Sequence, residues 1–461
     1  MRIQSFVLWL LAVQLAGGSA SLSGQSIDPV PTEKGADLPS LSATLPKAPF
    51  EPLALKDLVV EVLKRNPDVA RARHRAAAAA SRAPQVRALP DPVAALNVFV
   101  LPPETRVGPQ LLSVSIRQQL PWFGKLALRG QAALFAAAAA KSEVETLRLD
   151  LLTEARRLFY ELAFLAEHES ILRAERSTLE RFEEAARARY AAGAGLQQGI
   201  VRIQAQITRV DTRVLAISER RADLLAAMNA LRDRPADTAI TKLELPLPVA
   251  LALDTDTLRR AAIAGRPKMV AANAEIARRQ TLIELAEKNF RPDFNVGLSY
   301  TMVGRRDDPA GRLSPPPDDG DDVLALSGAV NLPIRRRKLE AGLEEALAIH
   351  RAAEEQRRQI LAGIERSIGD LAARLPLLFE HWQLLENVLH VQAREALASA
   401  ETAYTTGKLN AVDLLDAEVV LFDVRTAAAR IRADYAVAQA QMERTIATSL
   451  ALTTEEPDHD R

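Results

Sequence analysis

The chain is written twice, and any fold proposed for it must accommodate that duplication. "KRNPDVARAR" around Pro67 returns as "AGRPKMVAAN" around Pro267, and "LPDPVAALNV" around Asp91 returns as "RPDFNVGLSY" around Asp293. "RQQLPWFGKL" returns as "AVNLPIRRRKL", which aligns Leu120-Pro121 with Leu332-Pro333. "ARYAAG" returns as "TAYTTG", aligning Tyr190 and Gly193 with Tyr404 and Gly407, and Met228 falls on Met442 at the same offset. Asp91 and Asp293 lie 202 residues apart, Pro121 and Pro333 lie 212 apart, so the second copy gains ten residues between those marks. The interval holds two turn-rich stretches, Leu101–Pro109 and Gly304–Asp322. Insertions concentrate in exposed loops, so both stretches are expected at the surface.

Each loop is flanked by residues alternating with period two. Phe294, Val296, Leu298, Tyr300 and Met302 interleave with Asn295, Gly297, Ser299 and Thr301, and Leu324, Leu326 and Val330 with Ala325, Ser327, Ala329 and Asn331. In the first copy Leu112, Val114 and Ile116 alternate with Ser113, Ser115 and Arg117, and Ala94, Leu96, Val98 and Val100 alternate less cleanly. Each copy thus has one hairpin, with strands expected near 93–101 and 110–119, then 293–303 and 323–332. Two readings stand. The strands form a small soluble sheet packed on helices, or they cross a membrane with apolar residues toward lipid and small polar ones toward a watery lumen. Four strands do not close a barrel, for which roughly eight is the minimum, and lipid does not tolerate open edges. In a membrane, several chains must share one barrel, and a trimer would pool twelve strands.

The helices are unusually long. Gln131–Ala192 runs 62 residues without Gly or Pro, and Lys408–Glu456 runs 49. The first run allows a helix of roughly 90 Å, which needs lateral partners. Heptads show where: Ile200, Ile203, Ile207, Val210, Val214 and Ile217 in the first copy, and Leu414, Ala417, Leu421, Val424, Ala428 and Ile431 in the second. Gly193 and Gly407 sit where a helix ends and the chain reverses. The Ala-rich stretch "ALFAAAAAKS" allows close helix packing. The fold class is mainly α with a small β part, built from duplicated helix, β-hairpin, long helix and helix units. The divisions are a first repeat at 53–234 with its helix tip near 193–199, a linker at 235–256 expected beside the helices, and a second repeat at 257–450 with its tip near 407–411. A C-terminal tail follows at 451–461.

Composition narrows the function. The 59 basic and 59 acidic residues balance, which gives no support for nucleic-acid binding. The absence of Cys removes disulfides, thiolate metal sites and Cys nucleophiles. "MRIQSFVLWLLAVQLAGGSAS" reads as a signal peptide at 1–20: Arg2 supplies the charge, Phe6–Ala16 the apolar stretch and Gly18-Ser19-Ala20 the cleavage site. The alternative is an N-terminal anchor, for which the apolar run is short of the about 20 residues a span requires. Residues 21–52, rich in Ser, Pro and Gly, read as an extended lead-in. His74, His168, His350, His381, His390 and His459 show no ligand spacing, and no catalytic set is evident, so neither an enzyme, a metal centre nor a cofactor is expected. The acidic loop "RRDDPAGRLSPPPDDGDDV" is either a plain solvated loop or a weak attractor of divalent cations.

The "NP" at Pro67, "LPWFGKL", the Y-x-x-G tips at Tyr190 and Tyr404, and "VDLLDAE" after the second tip come in an order and duplication that resemble the TolC family of outer-membrane efflux proteins. The resemblance covers about 53–450, and "QQLPWFGKL" looks most like the heavy-metal cation branch. It implies a homotrimer sharing a twelve-stranded barrel in outer-membrane lipid, continuous with a long periplasmic helical tunnel. Such a protein is the passive exit duct of a tripartite pump in a Gram-negative cell. It works with a periplasmic adaptor and an inner-membrane transporter, here expected to be of RND type. Asp413 and Asp416 match the aspartates at the family's tunnel entrance, where rings of charge would act on cations; the other reading is carboxylates complementing a helix dipole. Tyr190, Gly193, Gly195, Tyr404, Gly407 and Leu409 are the implied tip turns and adaptor contacts. Gly199 stands where an acid is often found and Leu409 where some members carry a basic residue, so the usual ionic latch is in doubt. Arg202 and Arg209 align with Asp416 and Asp423 and are expected to pair opposite charges between neighbouring helix pairs. The rival class is a soluble periplasmic coiled-coil scaffold or adaptor.

Overall fold

A computed structural model describes residues 55–241 and 243–450, all within one unit at 50–461. The expected leader, the lead-in and the C-terminal tail lie outside the described residues.

Each copy opens with two short helices rather than one: α1 (Leu55–Arg65) and α2 (Pro67–Arg87), then α5 (Thr255–Gly265) and α6 (Pro267–Lys288). The reason is local. Pro67 and Pro267 lack an amide hydrogen and start a helix more readily than they continue one. Asn66 caps α2, its side chain accepting from the amides of Asp68 (2.9 Å) and Val69 (3.3 Å). Asp254 caps α5 through the amides of Asp256 and Thr257.

The strands are β1 (Val93–Val98), β2 (Glu104–Thr105), β3 (Gly108–Leu120), β4 (Asp293–Val303) and β5 (Val323–Asn331). The first strand stops three residues before its expected end, where Leu101 leads into Pro102-Pro103; the strand at 293–303 has its expected bounds, and the other two differ by one or two residues at their ends. The sheet order is β1-β3-β4-β5, antiparallel throughout, with β2 folding back on the start of β3. The β3–β4 pairing joins the two copies into one sheet, and β1 and β5 are its open edges.

Register puts most of the large apolar residues on one face. One row reads Ala94, Ile116, Leu298 and Leu326; the next Leu96, Val114, Tyr300 and Leu324. The opposite face reads Ala95, Ser115, Ser299 and Ala325, then Asn97, Ser113, Thr301 and Val323. The apolar rows are uncovered within the chain: Leu96 is 53 % exposed, Ile116 52 %, Leu298 50 % and Leu326 80 %. The loops beyond the strands, the longer of which carries the short α7 (Pro309–Leu313), are tied together, Arg106 pairing with Asp318 and the Gly320 amide donating to the Val107 carbonyl at 2.8 Å. Asp308 is held by Arg306, and Asp322 accepts from Tyr300, so these acids of the long loop are occupied by protein.

From the sheet run the long helices: α3 (Lys125–Ala191, 67 residues) returning as α4 (Gln197–Leu231), and α8 (Arg336–Leu384) returning as α10 (Ala411–Ile446). At 67 residues α3 is about 100 Å long. The second copy reaches its tip through a π turn at Leu385–Leu389 and α9 (His390–Thr405) instead of one continuous helix. The expected heptad seams form the core. Ile203, Val210 and Ile217 are buried and Ile200, Ile207 and Val214 pack against them; Leu414, Leu421, Val424 and Ala428 are buried in the second copy. Helix α10 ends ten residues before the uninterrupted run does, at Ile446, where Ala447 takes φ 57°. The linker lies along the helices. Leu245 is buried against Ala163 and Phe422, Asn229 donates to the Ala236 and Thr238 carbonyls at 2.9 Å each, and Tyr435 donates to the Val249 carbonyl.

Candidate functional site

At the end of the helices remote from the sheet, the chain reverses twice. Gly193 (φ 72°) and Gly407 (φ 81°) adopt the left-handed conformation that only glycine takes cheaply. Each closes the same turn: the Gly193 amide donates to the Tyr190 carbonyl at 3.0 Å, and the Gly407 amide to the Tyr404 carbonyl at 3.1 Å. The next helices start differently. Asn410 caps α10, accepting from the amides of Val412 (2.7 Å) and Asp413 (3.1 Å), whereas Leu196 gives α4 no side-chain cap.

The two tips meet across an open cleft of about 800 Å³, lined by Arg189, Gly195, Arg202, Tyr404, Leu409 and Asp413 among others. A Cβ on Gly199 would lie 3.1 Å from that of Ala411, so its lack of a side chain sets how closely α4 and α10 approach. Arg189 bridges the tips. It donates to the Tyr404 carbonyl and to the carbonyls of Leu409 (3.5 Å) and Ala194 (3.2 Å), and its guanidinium carbon sits 4.6 Å from the Tyr404 ring centroid. Sequence reading missed Arg189, because its counterpart in the duplication is Ala403 and nothing marked it out.

Asp413 and Asp416 both lie on the exposed side of α10, and Val420 and Asp423 continue that stripe at heptad spacing. The matching stripe on α4 carries Gly199, Arg202 and Arg209. Within the chain the expected charge pairs are not made. Among the described residues none of Arg202, Arg209, Asp413, Asp416 or Asp423 belongs to an ion pair, and Arg209 donates instead to Gln206 at 2.9 Å. The reason is geometric: both stripes face outward from the buried seams that join α4 and α10 to α3. Among the described residues no group of three or more acidic or imidazole side chains is placed to hold a metal ion.

Beneath the acidic stripe lies a second feature that sequence reading passed over. Glu418, one residue from the Ala417 of the seam, is fully buried, and neither carboxylate oxygen has a hydrogen-bond partner within the chain. Burial pushes its pKa up to about 8, with the nearby Glu175 carboxylate adding to the rise, Arg213 opposing it and Asp423 adding again. Glu175 is also buried and raised by that burial, against the pull of Arg213 (3.6 Å) and a hydrogen bond with Gln206. The arrangement holds Glu418 as a neutral acid at pH 7.

At the other end, Lys125 and Asp293 fasten the sheet to the helices. The ammonium lies 2.8 Å from the carboxylate, which also accepts from the Trp122 amide at 2.8 Å. Trp122 stacks on Phe294 (5.8 Å) beside an exposed Phe123, giving the sheet an aromatic margin.

Residues 258–448 match the family model described as "Outer membrane efflux protein". The chain is 23 % identical over 346 residues to the cobalt-zinc-cadmium resistance protein CzcC of Cupriavidus metallidurans, covering 74 % of this chain and 77 % of that one. The outer membrane protein VceC of Vibrio cholerae superposes with a TM-score of 0.71 at 20 % identity, over 86 % of this chain and 96 % of that one. The MtrE outer membrane channel of Neisseria gonorrhoeae, in its open state, gives 0.70 at 18 % identity, over 86 % and 89 %. CusC, solved in a study of folding and transmembrane channel formation, gives 0.70 at 14 % identity, over 86 % and 92 %. The second copy thus matches the outer membrane efflux protein family, and the chain shares the fold of these outer membrane channels across both copies.

Proposed function

We propose that three copies of the chain form an outer-membrane exit duct, passing small substrates from the periplasm to the outside as the last stage of a tripartite pump. The observation that carries this reading is the sheet: one face is apolar and uncovered, the other small and polar, and both edges are open. In water such a sheet would aggregate through its edges; in lipid it must close. Three copies supply twelve strands, a closed cylinder with its polar face toward a water-filled lumen. The Trp122–Phe294 margin suits the lipid boundary on the periplasmic side, and the roughly 100 Å helices reach from there into the periplasm.

The helix tips form the entrance. Asp413 and Asp416 of three chains make two acidic rings that concentrate cations, with Arg202 and Arg209 of one helix pair facing Asp416 and Asp423 of the next. Such exposed pairs contribute about 0–1 kcal/mol each, so the entrance opens at low cost. The tip turns around Tyr190, Gly193, Gly195, Tyr404, Gly407 and Leu409 receive the periplasmic adaptor, which links the duct to an inner-membrane transporter of RND type. The likeness to a cobalt-zinc-cadmium resistance protein favours metal cations as cargo. The duct performs no chemistry; its residues bind, admit and release.

Planar-bilayer recording tests the proposal. Protein extracted from outer membranes is expected to insert as discrete, cation-preferring conductance steps. Recovery in the soluble periplasmic fraction, with no conductance, would instead support a coiled-coil scaffold.

A further inference from the structure

We propose that the four strand–helix junctions at the base of the sheet form a basic collar that binds the phosphate headgroups of anionic phospholipids. The proposal rests on the membrane reading above and names the lipid chemistry that the helix side of the sheet selects.

Topology gathers the collar. The four long strands are antiparallel, and at one end each is joined to a helix: β1 to α2, β3 to α3, β4 to α6 and β5 to α8. The junctions at 87–92, 121–129, 287–293 and 332–340 together carry nine basic and four acidic residues. At the opposite end of the sheet, 99–110 and 304–322 carry four basic and seven acidic residues. Charge therefore changes sign from one end of the sheet to the other.

The two ends also differ in what their charges do. At the loop end Arg106 is taken by Asp318 and Arg306 by Asp308. At the base Arg87, Arg129, Arg291, Arg335, Arg337 and Lys338 are exposed, and among the described residues none of them is in an ion pair. Of the acids at this end, Asp293 is already held by Lys125. The collar thus presents positive charge that the chain itself does not answer.

A second observation gives the collar its partner. The apolar rows of the sheet run straight into it. Leu332 and Ile334 continue the parity of Leu324, Leu326 and Val330, and Trp122 continues that of Val114, Ile116 and Leu120. Leu332, Ile334 and Phe123 are all exposed, and Arg336 lies over the Phe290 ring at 5.9 Å. Apolar side chains, then aromatic rings, then bases is the order of environments met on leaving a bilayer: hydrocarbon, interface, headgroup. A guanidinium meets a phosphate through two parallel hydrogen bonds, and a surface of anionic lipid holds a basic cluster more tightly with each added base. A dissolved anion would need no apolar row beside it, so the continuity of the two features assigns the phosphate to a lipid.

Native mass spectrometry of detergent-extracted trimers tests the collar, with phosphatidylglycerol and phosphatidylcholine of identical acyl chains as the probes. The wild type should retain phosphatidylglycerol better by about fivefold or more, and R291Q/R335Q/R337Q should lose that preference. R291K/R335K/R337K, which keeps the charge, should retain most of it, and R305Q/R312Q at the loop end should leave it unchanged. Trimers that retain both lipids equally would overturn the collar and leave the duct standing, and this wild-type ratio decides even where the triple glutamine variant does not assemble. A preference that survives the triple glutamine variant, or falls equally with R305Q/R312Q, would also overturn it. Displacement of phosphatidylglycerol by excess inorganic phosphate would show a free-anion site and overturn the assignment to lipid. A soluble single chain would overturn the duct and the collar together.

Discussion

Tyr190 and Tyr404 hold equivalent places in the two copies, yet Tyr190 is 50 % exposed and Tyr404 only 6 %. The backbone around them is the same: a left-handed glycine, a turn closed onto the tyrosine carbonyl, and a helix leading away along a heptad seam. The side chains have diverged. The second tip has the Asn410 cap, the Asp413–Asp416–Asp423 stripe and the buried Glu418; the first has an uncapped start, Gly199 and the Arg202–Arg209 stripe, with Gln204 where Glu418 would be. Duplication preserved the turns and the apolar seam, while the residues around them diverged, the exposed stripes and the buried Glu418 alike. A ring of three copies would then alternate helix pairs of opposite sign.

The largest expected effect comes from the seam. Leu414 is fully buried and its counterpart Ile200 only half-buried. Leu414→Ala should cost about 2–5 kcal/mol, and Ile200→Ala clearly less, as read from denaturant midpoints of matched variants. Equal costs would break the idea that the second tip is the better packed.

Glu418 gives a pH test of the same asymmetry. Its pKa is raised to about 8 in the folded chain, against an ordinary value of 4.5, so the folded state holds the extra proton between these values. Stability from this group is therefore full below about pH 4.5 and is lost as pH rises toward 8. Glu175 acts in the same direction. Thermal melting followed from pH 5 to pH 9 should show a falling Tm in the wild type and a shallower fall in E418Q. Parallel curves would contradict the buried-acid assignment.

Smaller effects follow from the caps. Asn410→Ala should destabilise by about 1 kcal/mol, and Leu196→Asn should stabilise the first tip by up to a similar amount. Hydrogen exchange of the amides that follow each cap reports both. Smallest is Arg202→Glu: an exposed pair is worth about 0–1 kcal/mol, and if Arg202 pairs across the proposed entrance its reversal should raise bilayer conductance. Unchanged conductance would remove Arg202 from the entrance.

The legible parts of this fold were those fixed by periodicity and punctuation. Alternation located the strands because one face is apolar and the other is not, and heptads located the seam residues Ile203 and Leu414 because burial follows the helix repeat. Gly193 and Gly407 marked the reversals because few other residues tolerate that backbone. What stayed hidden depends on contacts distant in sequence. Arg189 looks like one more surface arginine until Tyr404 is placed beneath it. Glu418 reads as a solvated acid because polarity usually means exposure. The expected pairing of Arg202 and Arg209 with Asp416 and Asp423 does not form inside one chain, since charge pattern gives sign and spacing but not which side of a seam a helix presents.

The central claim is that this sheet is one third of a cylinder closed only by two further copies in lipid. Native mass spectrometry of the detergent-extracted protein tests it most directly. Release of a particle containing three chains is the predicted result. A single chain that stays in aqueous solution without detergent would contradict it.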